Sequence, residues 1–433
     1  MSTDAVAILG FVALFTLMLL RVPVGIAMGT VGVLGFGYLV GDITPALKLL
    51  AQSPIRTATD AEFAVIPLFL LMGAFASASG MSRELFRASN TFLGHLRGGL
   101  GIATIAACGG FAAICGSSVA TAATFSKVAY PEMRAHGYPQ SFSTGVIAAG
   151  GSLGIMIPPS TVLAIYGLIT EQDIGRLFIA GVLPGLLAVG MYIATINIIA
   201  LVAPKHLPST PKHSWAERWT AVREVWAVIL LFIFIIGGLY VGMFTATEAA
   251  GMGAAGALII ALARRKLSRE DFWRCLIESL RTTASVFTIL IGALIFGYFL
   301  TITQVPQKLT TFLTGLGLSS YGVLVLIMLM YLVLGCIMDA MAMIILTIPI
   351  VFPVVKALGF DPIWFGVIIV MTVELGLIHP PVGMNVFVIK SVIKDVKLST
   401  VFKGVLPFVV TDIVRLAILI AFPIIATWLP SHM

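Results

Sequence analysis

The chain has 433 residues, of which 59% are hydrophobic and 10% charged, with a mean hydropathy of +1.08. Apolar runs long enough to cross a bilayer recur from end to end, so a soluble globule is excluded and an all-α polytopic membrane protein is implied. The net charge of +7 would suggest nucleic acid as a partner for a soluble protein; here membrane topology accounts for it, and no nucleic-acid partner is expected.

In the first half, spans are expected at residues 5–20, 22–40, 62–80, 141–169 and 177–203. The opening run, Val6 to Leu20, has no basic region before it and no clear small-residue cleavage site, so it reads as a retained span. Between the third and fourth spans, residues 98–130 are rich in Gly and Ala and are interrupted by CGSSVAT at Cys115 to Thr121. Each arm is too short to cross comfortably, which predicts a re-entrant helical hairpin with its tip near mid-membrane. The fourth span carries GGSLGIMIPPS, Gly150 to Ser160. Two consecutive prolines remove two backbone donors and clash with the preceding turn, so this helix breaks before Pro158.

Residues 204–224, with Pro204, Pro208 and Pro211 and mixed charge, read as a cytoplasmic linker. The second half repeats the order: spans at 225–241, 246–262 and 282–303, a hairpin at 320–356 with CIMDAMA at its tip, a broken helix at 363–389 and a last span at 404–428. Leu375, Gly376, Pro380 and Pro381 stand 222 residues after Leu153, Gly154, Pro158 and Pro159, and Pro353, Gly359 and Asp339 stand at the same offset from Pro131, Gly137 and Ser117. Five crossings per half turn the second copy upside down, which predicts two inverted-topology repeats, residues 1–203 and 225–433.

Orientation follows from charge. Twenty of the 26 Lys and Arg fall on one side; Lys48, Arg56, Arg176, Lys308 and Lys356 fall on the other, and Arg415 lies inside the last span. The positive-inside rule places the basic side in the cytoplasm and both termini outside, so the Ser117 hairpin opens from the cytoplasm and the Asp339 hairpin from the opposite face. Ser82 to Arg97 and Leu267 to Arg281 mix Arg with Phe, Leu and Trp at helical spacing, as helices lying in the cytoplasmic interface do.

Helices that end inside the membrane expose carbonyls at their C-terminal ends, which can ligate a hard cation such as Na⁺, and amides at the next N-terminus, which attract an anion. One tip and one break per half would build two similar ion sites around a shared substrate site. The first-half candidates are Ser117, Ser118 and Thr121 at the tip and Gly150, Gly151, Ser152 and Gly154 before the break; helix capping and close packing are the alternative use of the same residues. In the second half the polar groups at matching places are Asp339, Glu374, His379 and Asn385. Asp339 suits an ion ligand or an N-cap, Glu374 a cation ligand, a proton carrier or an ion-paired partner, and His379 a ligand or a hydrogen-bonded packing residue. Asp412 and Arg415, three apart, read as an internal ion pair, and Glu248 and Arg21 as helix-end anchors. Substrate is expected between the tips, against Ser118, Thr121, Pro158, Glu374, His379 and Asn385.

Cys108, Cys115, Cys275 and Cys336 follow no metal-ligand spacing and are expected to be unpaired. The sequence contains no nucleotide-binding loop, no H-E-x-x-H and no credible nucleophile elbow, so neither ATP-driven transport nor an intramembrane enzyme is favoured, and no cofactor beyond the coupling ion is expected. A stand-alone carrier of dicarboxylates or oxyanions, coupled to Na⁺ or H⁺ and needing no binding protein, remains open at this level.

GSSVATAATFSKVAYPEM followed by AAGGSLGIMIPPS, the later MDAMAMIILTIPI, and GFDPIWFGVIIV leading into ELGLIHPPVGMNVFV closely resemble the large membrane subunit of TRAP (tripartite ATP-independent periplasmic) transporters, over essentially the whole chain. The resemblance implies an elevator-type secondary transporter of the bacterial inner membrane, driven by Na⁺, that accepts an organic acid from a periplasmic binding protein and works with a small four-helix membrane subunit. Carried over by position, the family's sodium sites fall on Ser117, Ser118, Gly151 and Ser152 in one half and on Asp339, Gly376, Pro380 and Gly383 in the other. This chain has His379 where the family usually has a threonine before the two prolines, a departure that bears on the second site's ligands.

Overall fold

The computed structural model describes residues 1–203 and 207–433, and every regular element among them is a helix. The first half runs α1 (Thr3–Leu19), α2 (Val24–Val40), α3 (Ile43–Thr59), α4 (Val65–Ala78) and α5 (Met81–Leu93). The hairpin arms α6 (Gly99–Cys115) and α7 (Ser118–Ala135) follow, then the broken helix as α8 (Gln140–Met156) and α9 (Thr161–Thr170), then α10 (Ile174–Val202). The second half runs α11 (Trp215–Tyr240), α12 (Ala246–Ala263), α13 (Arg269–Thr303) and α14 (Val305–Gly315) into the second hairpin, α15 (Ser320–Gly335) and α16 (Ala340–Ala357). The second broken helix, α17 (Pro362–Ile378) and α18 (Met384–Val392), precedes α19 (Leu398–Ala421) and a final turn, α20 (Ile424–Thr427). Helices α16 and α17 begin and end 222 residues after α7 and α8, so the offset read from a few prolines and glycines extends to whole elements. The Pro158–Pro159 and Pro380–Pro381 peptide bonds are both cis.

Four expectations need correction. Residues 215–224 are not linker: Ser214 and Glu217 form a capping box that starts α11 at Trp215, and Pro204 lies outside the described residues. Leu267 to Arg281 is not a separate interfacial helix, because α13 runs unbroken for 35 residues from Arg269 into the span. No Gly or Pro separates the basic stretch from the apolar one, and helical hydrogen bonding continues where the composition changes. Pro131 lies inside α7, which continues to Ala135; a proline removes one backbone bond and bends a helix that packing holds on either side. The last span ends at Ala421, where Phe422 leaves helical geometry. By contrast, α5 is the expected amphipathic helix, burying Met81, Leu85 and Phe86 while Arg83 and Arg87 stay exposed.

Packing sorts the helices into an inner and an outer set. Helix α8 contacts α6, α7, α17, α18 and α19, and every residue from Phe142 to Met156 is buried. Within residues 140–170 the most apolar stretch is 89% buried, against 28% for α10, so the first broken helix is central and α10 turns much of its surface to lipid. Outside this core α2 lies against α13 almost backbone to backbone: a Cβ on Gly25 would sit 2.3 Å from the Thr288 carbonyl oxygen. Helix α4 packs on α12 and α13, and α11 on α5 and α12. Eight helical stretches among the described residues are long and apolar enough to cross a membrane.

Candidate functional site: two tips and two breaks around one cavity

At the first tip α6 ends at Cys115, and the Ser117 hydroxyl caps α7 by accepting from the Ala120 amide at 3.3 Å. The Thr121 hydroxyl donates to the Ser117 carbonyl at 2.8 Å, which holds that carbonyl in the turn. Gly154, one turn before the first break, lies against this tip; a Cβ there would approach the Ser117 carbonyl oxygen to 2.5 Å, a separation only glycine allows. On the far side of the prolines, Ser160 caps α9 and Thr161 donates to the Gly116 carbonyl at 2.9 Å. The break is thereby fastened to the tip, and the main-chain oxygens of Gly116, Ser117 and Pro159 gather within one small region.

The second half builds the same relation with different side chains. Asp339 caps α16 by accepting from the amides of Met341 (3.0 Å) and Ala342 (3.1 Å). Gly376 packs on Gly335, where a Cβ on Gly335 would sit 2.9 Å from the Gly376 Cα, so break and hairpin touch here too. After the prolines Gly383 takes φ +61°, a conformation that favours glycine, and it faces the carbonyl oxygens of Leu377 and His379. His379 ends α17, donates its amide to Leu375 at 3.0 Å and is half-buried. Pro380 is likewise half-buried, whereas Gly376 and Gly383 are buried.

Both tips open on one cavity of about 860 Å³, whose lining includes Ser117, Ser118, Asp339, Thr161 and Leu377. The N-termini of α7 and α16 therefore end at a shared space, with the positive ends of two helix dipoles directed at it. The structure thus brings Ser117, Ser118 and Asp339 together. Thr121, Gly151, Ser152, Pro158, Glu374 and Asn385 are buried and do not line this cavity among the described residues. Asn385 is fully buried with no hydrogen-bond partner for either side-chain polar atom.

Glu374 is ion-paired. Its Oε2 lies 2.9 Å from Arg415 Nη2, and the same Nη2 lies 2.9 Å from Asp412 Oδ1, all three side chains being fully buried. The expected Asp412–Arg415 pair is present and is larger than the sequence indicated. Tyr192 of α10 donates to Asp412 at 2.8 Å, and Ser152 of α8 contacts the Tyr192 hydroxyl at 3.2 Å. Glu248 closes a capping box with Thr245 at the start of α12, the helix-end role expected of it. The four cysteines are unpaired.

Sequence reasoning missed several residues. Lys127 on α7 and Arg274, Glu278 and Thr282 on α13 line the same cavity. A polar residue at every fourth position along α13 was a readable signal, since that spacing puts all three on one helix face. Tyr192, a lone tyrosine in an apolar span, gave no such signal.

Comparison with known proteins accords with this geometry. Residues 11–425 match the family model for the tripartite ATP-independent periplasmic transporter, DctM component. The chain is 39% identical to the C4-dicarboxylate TRAP transporter large permease protein DctM of Pseudomonas aeruginosa, over 89% of this chain and 88% of that protein. It is 34% identical to the protein of the same name from Vibrio cholerae, over 99% of this chain and 98% of that one. Among solved structures, the Alcanivorax borkumensis YdaH transporter superposes with a TM-score of 0.59 at 16% identity, covering 88% of this chain and 90% of that one, a likeness of fold alone. The relatives are transporter permease subunits and not enzymes, and this chain belongs to the DctM family, the large membrane components of the tripartite ATP-independent periplasmic transporters.

Proposed function

We propose that the chain carries out Na⁺-coupled uptake of an organic acid across the bacterial inner membrane by an elevator-type movement. The block bearing both tips and both breaks shifts against the outer spans. The observation that carries this reading is the shared cavity: the Ser117 and Asp339 turns, 222 residues apart, line one space beside two broken helices. Residues 1–203 and 215–433, the second beginning with α11, are the two repeats, inverted with respect to each other, with both termini periplasmic.

Each tip and break holds one Na⁺. The first site uses Ser117, Ser118, Thr121, Gly151 and Ser152, and the second Asp339, Gly376, Pro380 and Gly383. A cation bound at either place draws the main-chain oxygens of the turn together, so it orders the tips and favours substrate, and substrate reciprocally favours the cation. The substrate carboxylate sits between the tips, where the two helix N-termini attract it and Lys127 and Arg274 balance the carboxylates of Glu278 and Asp339. Ser118, Thr121, Pro158, Glu374, His379 and Asn385 form or support its pocket; of these Ser118 lines the cavity directly. The 39% identity with a protein named for C4-dicarboxylates supports a small dicarboxylate. The working assembly includes a small four-helix membrane subunit and a periplasmic binding protein, as the tripartite name of the family implies.

Uptake into proteoliposomes that hold the chain with its small subunit and receive the loaded binding protein tests this. Accumulation is expected under an inward Na⁺ gradient and only equilibration without one. Uptake that ignores Na⁺ overturns the Na⁺ reading, and full transport by the purified chain alone overturns the binding-protein requirement. In the same assay Ser117→Ala or Ser152→Ala is expected to weaken Na⁺ activation while assembled protein is retained; unchanged activation in both moves the first ion site elsewhere.

A further inference from the structure

Ser152 and Glu374 hold matching positions in the two broken helices, 222 residues apart, and one buried chain of polar contacts joins them. Ser152 Oγ, which donates to the Ala149 carbonyl at 2.7 Å, lies 3.2 Å from the Tyr192 hydroxyl, whose single proton is shared between the two Asp412 oxygens, each 2.8 Å away. Arg415 Nη2 continues the chain of contacts, 2.9 Å from Asp412 and 2.9 Å from Glu374, with the guanidinium 5.5 Å above the Tyr192 ring centre. Four helices contribute in turn, α8, α10, α19 and α17, and none of the five side chains is exposed. Each end of the chain sits beside a hairpin. Gly154, two residues beyond Ser152, lies against the Ser117 main chain, and Gly376, two residues beyond Glu374, lies against Gly335 just before the second tip.

Stability does not account for this arrangement. Two carboxylates and a guanidinium removed from water gain little over well-packed apolar side chains of similar volume, and the best-attested use of such buried groups is to fix register. Side chains held by directional contacts at both ends transmit a displacement of one helix to the other, whereas apolar packing slides. We propose that this network couples the two cation sites, with Arg415 as the positioning residue: ordering of the first break by one Na⁺ favours the geometry that binds the second. The proposal rests on the Na⁺ reading above and adds cooperativity that is independent of substrate.

The test measures uptake against Na⁺ concentration in the complete proteoliposome system for the unaltered protein and two variants. Tyr192→Phe removes only the hydroxyl in the middle of the chain. Asp412→Asn keeps the side-chain shape and removes one charge of the network, leaving the Arg415–Glu374 pair balanced, an exchange expected to leave folding intact. The unaltered protein is expected to respond with a Hill coefficient approaching about 2, the limit for two coupled sites. Both variants should fall toward about 1, with half-maximal activation shifted by about 5-fold or more, the lower range of coupling factors between sites. A hyperbolic response in the unaltered protein, or an equally steep one in both folded variants, overturns the coupling while leaving Na⁺ dependence standing. No Na⁺ activation at all overturns the underlying reading, and the coupling with it. Loss of assembled protein in both variants makes the network structural and likewise overturns the proposal.

Discussion

Asp339 shows how far a single residue could be read. An acidic side chain at the start of an apolar arm suits a cap and suits a cation ligand, and the structure gives the cap its geometry, two accepted amide bonds, while exposing the residue to the cavity. Asp339→Asn keeps an acceptor for α16 and removes the charge. It is expected to melt with the unaltered protein in detergent while needing more Na⁺ for half-maximal uptake, and Asp339→Ala is expected to lose in addition about 1 kcal/mol of cap stability. Arg415 was legible only as the partner of Asp412, because their spacing of three places them on one helix face. Its second partner, Glu374, is 41 residues away and on another helix, beyond any local pattern. Arg415→Met alone leaves two buried carboxylates without their cation and is expected to cost about 3–5 kcal/mol. A purified variant that melts with the unaltered protein would show that the cluster carries no such penalty.

At the scale of elements, the tips and breaks were legible because their signals are local. Paired prolines forbid a continuous helix, and CGSSVAT isolates hydroxyls in apolar sequence where polar groups are costly. Helix α3 was missed: its Thr, Ser and Gln residues and interior Pro54 resemble a loop, while its helical form depends on the Asp42 cap and on packing against α2 and α13. The unity of α13 was missed for the opposite reason, since a change from basic to apolar composition marks where a helix leaves the headgroup region and not where it ends. The fit between tip and break is a close approach that one methyl group disturbs. Gly154→Ala places a Cβ 2.5 Å from the Ser117 carbonyl oxygen, whereas at Gly190 of α10 nothing lies within 4 Å. Uptake at saturating substrate is expected to fall at least about 10-fold for Gly154→Ala, consistent with the cost of misplacing a binding group by about 1 Å. Gly190→Ala should transport normally, and equal activity of the two variants would remove the tip contact from the account.

At the scale of the whole molecule, composition and charge asymmetry carried the membrane class, while the shared cavity was out of reach. Lys127 and Arg274 are 147 residues apart, and only folding brings α7, α13 and the two tips to the lining of one space. Lys127 and Arg274 belong to the segments that the orientation proposed above places toward the cytoplasm, and under that proposal this conformation is open inward. The most direct test of the account asks whether the tip region changes sides. Val119, exposed beside Ser118 and in the cavity lining, becomes the only thiol when Val119→Cys is made with Cys108, Cys115, Cys275 and Cys336 replaced by alanine. A membrane-impermeant maleimide should label this cysteine from the cytoplasmic side in Na⁺-free membranes. In sealed right-side-out vesicles, labelling from the periplasmic side should appear when Na⁺ is supplied with the small subunit present. Labelling from the cytoplasmic side alone, whatever the Na⁺ concentration, would contradict an elevator that carries both tips across the membrane.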